Sequence, residues 1–191
     1  MQAFLPHPPS AIVDFYGSKY LRDPWWTLPN TAKPVPDFPP EFTNQVFDSP
    51  TIPTSFPILR PTNPDFKMTP RLVYLLGGIK DGTLFKGLMK DDSDYEAVDS
   101  AARWNAPQGV ENFKGKTEFC FVHGDQDELV PVGLAERAVQ ELRGLGVQAE
   151  LVKVKGALHA FDWEISSTVE GEERGYWGDV ERALGWLVQR V

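Results

Sequence analysis

Fourteen of the chain's 17 prolines precede Phe66, and only Pro70, Pro107 and Pro131 follow it. Proline has no backbone N–H and a locked φ, so it is excluded from helix interiors and from central strands. Most of the first third is thereby barred from regular structure. One stretch escapes the restriction. Ala11–Tyr16 (AIVDFY) is apolar, β-branched and aromatic, stops at Gly17, and reads as a strand. Residues 21–66 read as a long irregular excursion carrying Trp25, Trp26, Phe38, Phe42, Phe47 and Phe56. Loops of that length inside a compact domain are functional or disordered. The aromatic content favours a packed lid, because disordered linkers are poor in aromatics.

Beyond Phe66 the pattern turns regular. Thr69 can cap a helix whose first turn holds Pro70 and whose apolar positions are Leu72, Leu75, Leu76 and Ile79. Asp81-Gly82 signals a turn, Leu84–Met89 a second short helix, and Tyr95–Trp104 a weaker helical stretch. Thr117–His123 (TEFCFVH) is a continuous apolar run, as a parallel strand covered on both faces requires. Leu134–Gly144 places Leu134, Ala138, Val139 and Leu142 on one helical face and is closed by Gly144 and Gly146. Val147–Val154 is a further strand, and Tyr176–Arg190 a last helix with Val180, Ala183, Leu184 and Leu187 along one stripe. Strand–helix–strand at this spacing is a parallel βαβ unit, so the fold class is α/β. The chain divides into residues 1–20 (first core strand and turn), 21–104 (an inserted lid or cap) and 105–191 (a βαβα core).

Composition narrows the function classes. Of the 191 residues 41% are hydrophobic and 24% charged, the range of an ordinary globular chain. A net charge of −8 without a Lys/Arg cluster argues against nucleic acid and against an anionic membrane as partners. Met1–Pro9 lacks the basic n-region of a signal peptide, and the apolar run near Leu72–Ile79 is too short to cross a bilayer. A single Cys120 forms no intrachain disulfide. These features read as a soluble, cytoplasmic protein.

The chemistry sits at two strand ends. In parallel sheets, catalytic and ligand groups gather at the carboxyl ends of the strands. The strand at 117–123 leads into His123-Gly124-Asp125-Gln126-Asp127-Glu128, and the next leads into Lys155-Gly156-Ala157-Leu158-His159. Adjacent parallel strands thus bring a carboxylate and a histidine to one edge. A general base needs this arrangement: the carboxylate holds one ring nitrogen, sets the tautomer, and stabilises the imidazolium once the other nitrogen takes a proton.

The segments FVHGDQDELVP and KGALHAF resemble the acid and histidine segments of the α/β-hydrolase superfamily, esterase/lipase-like, fold-3 type. PPSAIVDFYG followed by RDPWW is similar to the strand that succeeds the nucleophile helix in that branch, with a helical cap inserted next. The resemblance implies a partial α/β-hydrolase fold and two members of a catalytic triad, Asp127 as acid and His159 as base. It implies an ester-type small-molecule substrate and neither cofactor nor metal. Trp25 and Trp26 have two readings, lining an acyl or aromatic substrate pocket or packing the cap against the core. The family's G-x-S-x-G nucleophile and HGG-type oxyanion loop do not occur here. In the family's chain order both would lie before Met1. The first strand would then be an unprotected sheet edge calling for a protein partner.

Other residues weigh less. Ser18 follows Gly17 but lacks the second glycine of a nucleophile elbow, so a turn hydroxyl is its plainer role. Cys120, inside an apolar strand, reads as core. His123 reads as a packing and hydrogen-bonding residue beside the Gly124 turn rather than a second base, His7 as an exposed loop residue, and Asp162 and Glu164 as a solvated helix start that could also tune His159. Three histidines without close spacing make no metal motif. The resulting expectation is the C-terminal portion of a serine hydrolase. The alternatives are a non-catalytic interaction module (a pseudoenzyme of the same fold) and a two-chain enzyme.

Overall fold

In the computed structural model, residues 7–30, 37–48, 67–106, 109–111, 113–164 and 175–190 are described. The expectations for Phe56 and for the start of the chain fall outside these residues. The chain separates into two compact units, one of Met1–Leu21 with Asp91–Val191 and one of Arg22–Lys90.

The first unit is built on three parallel strands in the order β1-β2-β3: Ala11–Phe15, Glu118–Gly124 and Ala149–Val154. Ala11 pairs with Glu118 and Phe15 with Val122, while Phe119 pairs with Ala149 and Gly124 with Val154. Seven residues without proline and rich in aromatic and β-branched side chains make β2 the central strand, and six of them are buried. Alternation sends Cys120 and Val122 to one face and Phe119, Phe121 and His123 to the other. On the first face, Val152 and Val154 of β3 join Cys120, Val122, Ala157 and Phe161 against Val180 and Ala183. The last two belong to the C-terminal helix Trp177–Val188, which lies on the sheet. Its buried stripe runs through Val180 and Ala183 with Trp177 and Trp186 flanking it, and Leu184, expected on that stripe, is 42% exposed. The helix is thus rotated to admit two tryptophans, whose area outweighs one leucine. The helix Val132–Gly144 buries Leu134, Ala135, Ala138, Val139 and Leu142. Its Glu136 is ion-paired to Lys153, which shares the Phe121 side of the sheet by alternation. Truncating the buried Phe121 to alanine removes about 3–5 kcal/mol of stability.

Two carboxylates fasten the irregular parts of this unit. The stretch expected as one weak helix is two, Asp92–Val98 and Ser100–Trp104. The break is Asp99, which ends the first and caps the second by accepting from Ala101 N–H. Buried Asp99 also accepts from the N–H groups of Tyr20 and Leu21, at 3.1 and 2.8 Å. Glu141 accepts from Tyr20 Oη at 2.7 Å, Trp104 Nε1 at 3.2 Å, Asn105 Nδ2 at 2.8 Å and Arg137 Nε at 2.9 Å. The Arg137 guanidinium lies 3.9 Å over the Tyr20 ring. Burial would raise the Glu141 pKa, but the hydrogen bonds from Asn105, Tyr20, Arg137 and Trp104 outweigh it and hold the carboxyl at about 2.

The second unit is helical in its described parts. The region expected to be irregular holds the short helices Pro24–Thr27 and Pro40–Thr43 and a 3-10 turn, Asn44–Phe47. Both helices start at proline, which is tolerated in a first turn because no intrahelical partner awaits that N–H. The longer helix Pro70–Asp81 begins as its sequence foretells, with the Thr69 hydroxyl accepting from Leu72 N–H. It ends at Gly82, whose φ of 68° is left-handed. A Cβ there would lie 2.6 Å from the Leu28 carbonyl carbon, so both backbone and space demand glycine. Helix Leu84–Leu88 follows, and Phe85 meets the Trp26 ring edge-on at 5.2 Å. By contacts this unit stops at Lys90, whereas the sequence placed the boundary of the insertion at residue 104. No described helix is long and apolar enough to cross a membrane.

Candidate catalytic site

The three parallel strands end on one edge, and each contributes to the site. After β2 the chain turns at Asp127, whose Oδ1 accepts from Leu129 N–H at 2.9 Å and Val130 N–H at 2.8 Å. The side chain closes its own loop in this way, the habit of aspartate in turns. The loop after β3 is laced to it: Asp125 N–H donates to Val154 O, Gln126 N–H to Ala157 O, and Gly156 N–H to Asp125 Oδ1. Gly124 permits the approach, since a Cβ would lie 2.2 Å from Ala157 O.

That lacing presents His159 to Asp127. His159 Nδ1 lies 2.8 Å from Asp127 Oδ2. Burial would raise the Asp127 pKa, but the hydrogen bonds from His123 and His159, the His159 charge and the Val130 N–H hold it well below the ordinary aspartate value. An ionised carboxylate only accepts, so Nδ1 carries the hydrogen and Nε2 is the nitrogen left to take or give a proton. The Asp127 side chain is fully buried while His159 is 27% exposed, so the imidazole can be reached and the carboxylate cannot. Of the three crowded carboxylates Asp127 is the one that meets the imidazole: Asp125 holds Gly156, and Glu128 is exposed.

Two neighbours were not assigned such positions from sequence. Tyr16, at the end of β1, sets its ring against His159 at 4.7 Å and against Phe161 at 5.9 Å. Its hydroxyl donates to Asp162 Oδ1 at 2.6 Å, so Asp162 anchors the tyrosine that walls the imidazole. Tyr16 has φ of 39° and Ala160 a φ of 57°, left-handed conformations that non-glycine residues hold only under constraint. His123 is 1% exposed, with Nε2 2.7 Å from Val130 O and 3.2 Å from Asp127 Oδ2. Val130 O can only accept, so Nε2 carries the hydrogen, and the buried Nδ1 has no hydrogen-bond partner. A buried polar atom left so costs about 1–3 kcal/mol.

The remaining sequence candidates fall elsewhere. Trp26 is 1% exposed and packed on Phe85, so its ring is taken up by the core of the second unit; Trp25 is half-buried beside it on the same short helix. Cys120 is fully buried, and its thiol is pushed up to about 11, first by desolvation and then by the Glu150 charge. That leaves almost no thiolate near neutrality. Ser18 and His7 are exposed. No group of three potential metal ligands occurs among the described residues.

No family model matches the chain, and no solved structure does. It is similar to fungal non-reducing polyketide synthases. It is 28% identical over 181 residues to adrD of Penicillium rubens and 26% identical over 181 residues to adrD of Penicillium roqueforti, covering 81% of this chain in both. To ausA of Aspergillus calidoustus it is 27% identical over 190 residues, covering 87% of this chain. The chain spans only 7–8% of the length of these relatives. Likeness over four-fifths of the chain overturns the esterase/lipase-like α/β-hydrolase assignment, which rested chiefly on two short loops. Such loops encode how a carboxylate meets a histidine at a parallel-sheet edge, a geometry that recurs in unrelated settings. The triad and the cap went with that assignment and are withdrawn with it. What the structure shows is an α/β unit with a three-stranded parallel sheet between helices.

Proposed function

We propose that Asp127 and His159 are the acid–base pair of an acyl-processing centre acting on chains of the polyketide type, carried as thioester or ester. One observation carries this reading: a reachable imidazole held at 2.8 Å by a fully buried, ionised aspartate, where parallel strands end. The likeness to polyketide synthases supplies the substrate class, since a polyketide is an acyl chain. His159 Nε2 takes the proton of an attacking hydroxyl, thiol or water as that atom bonds to the acyl carbonyl carbon. The tetrahedral adduct then expels the thiolate or alkoxide, which receives the proton back from His159. Asp127 stays ionised throughout and stabilises the imidazolium.

The test is thiol release from a β-ketoacyl N-acetylcysteamine thioester, with the wild-type chain beside His159→Ala. Removing a general base lowers such a rate by about 10²–10⁴-fold. Equal rates for the two proteins would count against catalysis and favour a non-catalytic binding role.

A further inference from the structure

The unused feature nearest the pair is His123. It occupies the third position of an alternating set, Phe119, Phe121, His123, that packs on one face of β2. A third phenylalanine would suit this buried place and bring no stranded ring nitrogen with it, at the cost of the hydrogen that Val130 O accepts. The histidine instead strands its Nδ1 while placing its Nε2–H between Val130 O and Asp127 Oδ2. Both acceptors belong to the loop that carries the acid. The backbone N–H groups of Leu129 and Val130 fix Oδ1 alone, which leaves the carboxylate free to swing Oδ2 about that anchor. The shared hydrogen of His123 removes that freedom.

We propose that His123 is a positioning residue for the acid–base pair: its Nε2–H pins Oδ2 of Asp127 in the place where His159 Nδ1 meets it. His123 does not touch substrate and moves no proton. The proposal deepens the acyl-processing reading and rests on it for its functional meaning, but its structural content is testable on this chain alone.

The readout is the His159 Nδ1 proton, observed by NMR and identified by its loss in His159→Ala. His123→Leu fills the site with an apolar side chain of similar bulk, and its His159 Nδ1 proton is expected to exchange with solvent about tenfold faster, the effect of losing one such hydrogen bond. His123→Gln can return an N–H to the Nε2 position and is expected to restore slow exchange. His123→Asn, too short to do so, is expected to behave as the leucine variant. Unchanged exchange in a folded His123→Leu overturns the proposal. Should that variant fail to fold, equal exchange in the Gln and Asn variants overturns it, and rescue by Gln alone supports it. None of these outcomes depends on thiol release, so failure of the acyl-processing reading would be seen separately.

Discussion

Asp127 and Glu141 are two solutions to one problem, a carboxylate surrounded by donors in the same unit. Asp127 accepts from the backbone of Leu129 and Val130 and from His123 and His159; Glu141 accepts from Tyr20, Trp104, Asn105 and Arg137. Both are held below the ordinary carboxyl range by those donors against desolvation. The difference lies in the partners. Tyrosine, tryptophan, asparagine and arginine keep their protons near neutrality, so the Glu141 cluster is a fastening. Histidine is the side chain that exchanges its proton there, so the Asp127 cluster can do chemistry with the same bonds. Saturation with donors marks a structural node, and the identity of one partner decides whether it is also a site.

The sharpest way to break the comparison is Asp127→Asn. The amide can present its N–H to His159 and reverse the tautomer, and thioester turnover should fall about 10⁴-fold, measured as thiol release. Next comes Gly124→Ala, which sets a methyl against Ala157 O and parts the two loops. Overpacking of this kind costs about 3 kcal/mol, to be read from urea unfolding, and turnover should fall with it. Glu141→Ala should lower stability by about 2 kcal/mol through donors left unpaired, with turnover unchanged; a loss of turnover at full stability would erase the distinction drawn above.

Acid sharpens the contrast further. A carboxyl whose folded pKa is depressed stabilises the fold above its unfolded value and loses that contribution as pH falls through the folded one. For Glu141 that window runs from about 4.5 down to about 2. Unfolding free energies measured across it should slope less steeply in Glu141→Gln than in the wild type. The smallest effect is a control remote from both clusters. Gly185 sits inside the C-terminal helix with open space where a Cβ would go, so Gly185→Ala should add about 0.5–1 kcal/mol in a thermal melt and leave turnover alone.

The contrast also explains what the sequence could disclose. The strand at 117–123, the helix that follows it and the strand at 149–154 are legible because apolar runs and 3.6-residue periodicity are local signals. Asp127 and His159 are legible because strand ends concentrate chemistry. Glu141 is silent in sequence, since its donors at 20, 104, 105 and 137 converge only when folded. Tyr16 is silent for a second reason: its φ of 39° defies its residue type and is imposed by neighbours. His123 is legible as a packing and hydrogen-bonding residue beside the Gly124 turn, but which acceptors its Nε2 meets, Val130 O and Asp127 Oδ2, is set by the fold of the loop and has no linear signature. The family assignment failed where short local patterns were asked to name a superfamily.

Asp99 has a consequence for how the first unit closes. Its carboxylate grips Tyr20 and Leu21, the last residues before the chain leaves the first unit, and it lies just beyond the point of return at Asp91. The stretch between is therefore a detour clasped at its base, and the entropy of closing so long a ring, which grows only logarithmically with length, is borne there. A clasp of that kind ties residue 20 to residue 99 within the first unit itself, so the frame around the sheet closes through its own carboxylate.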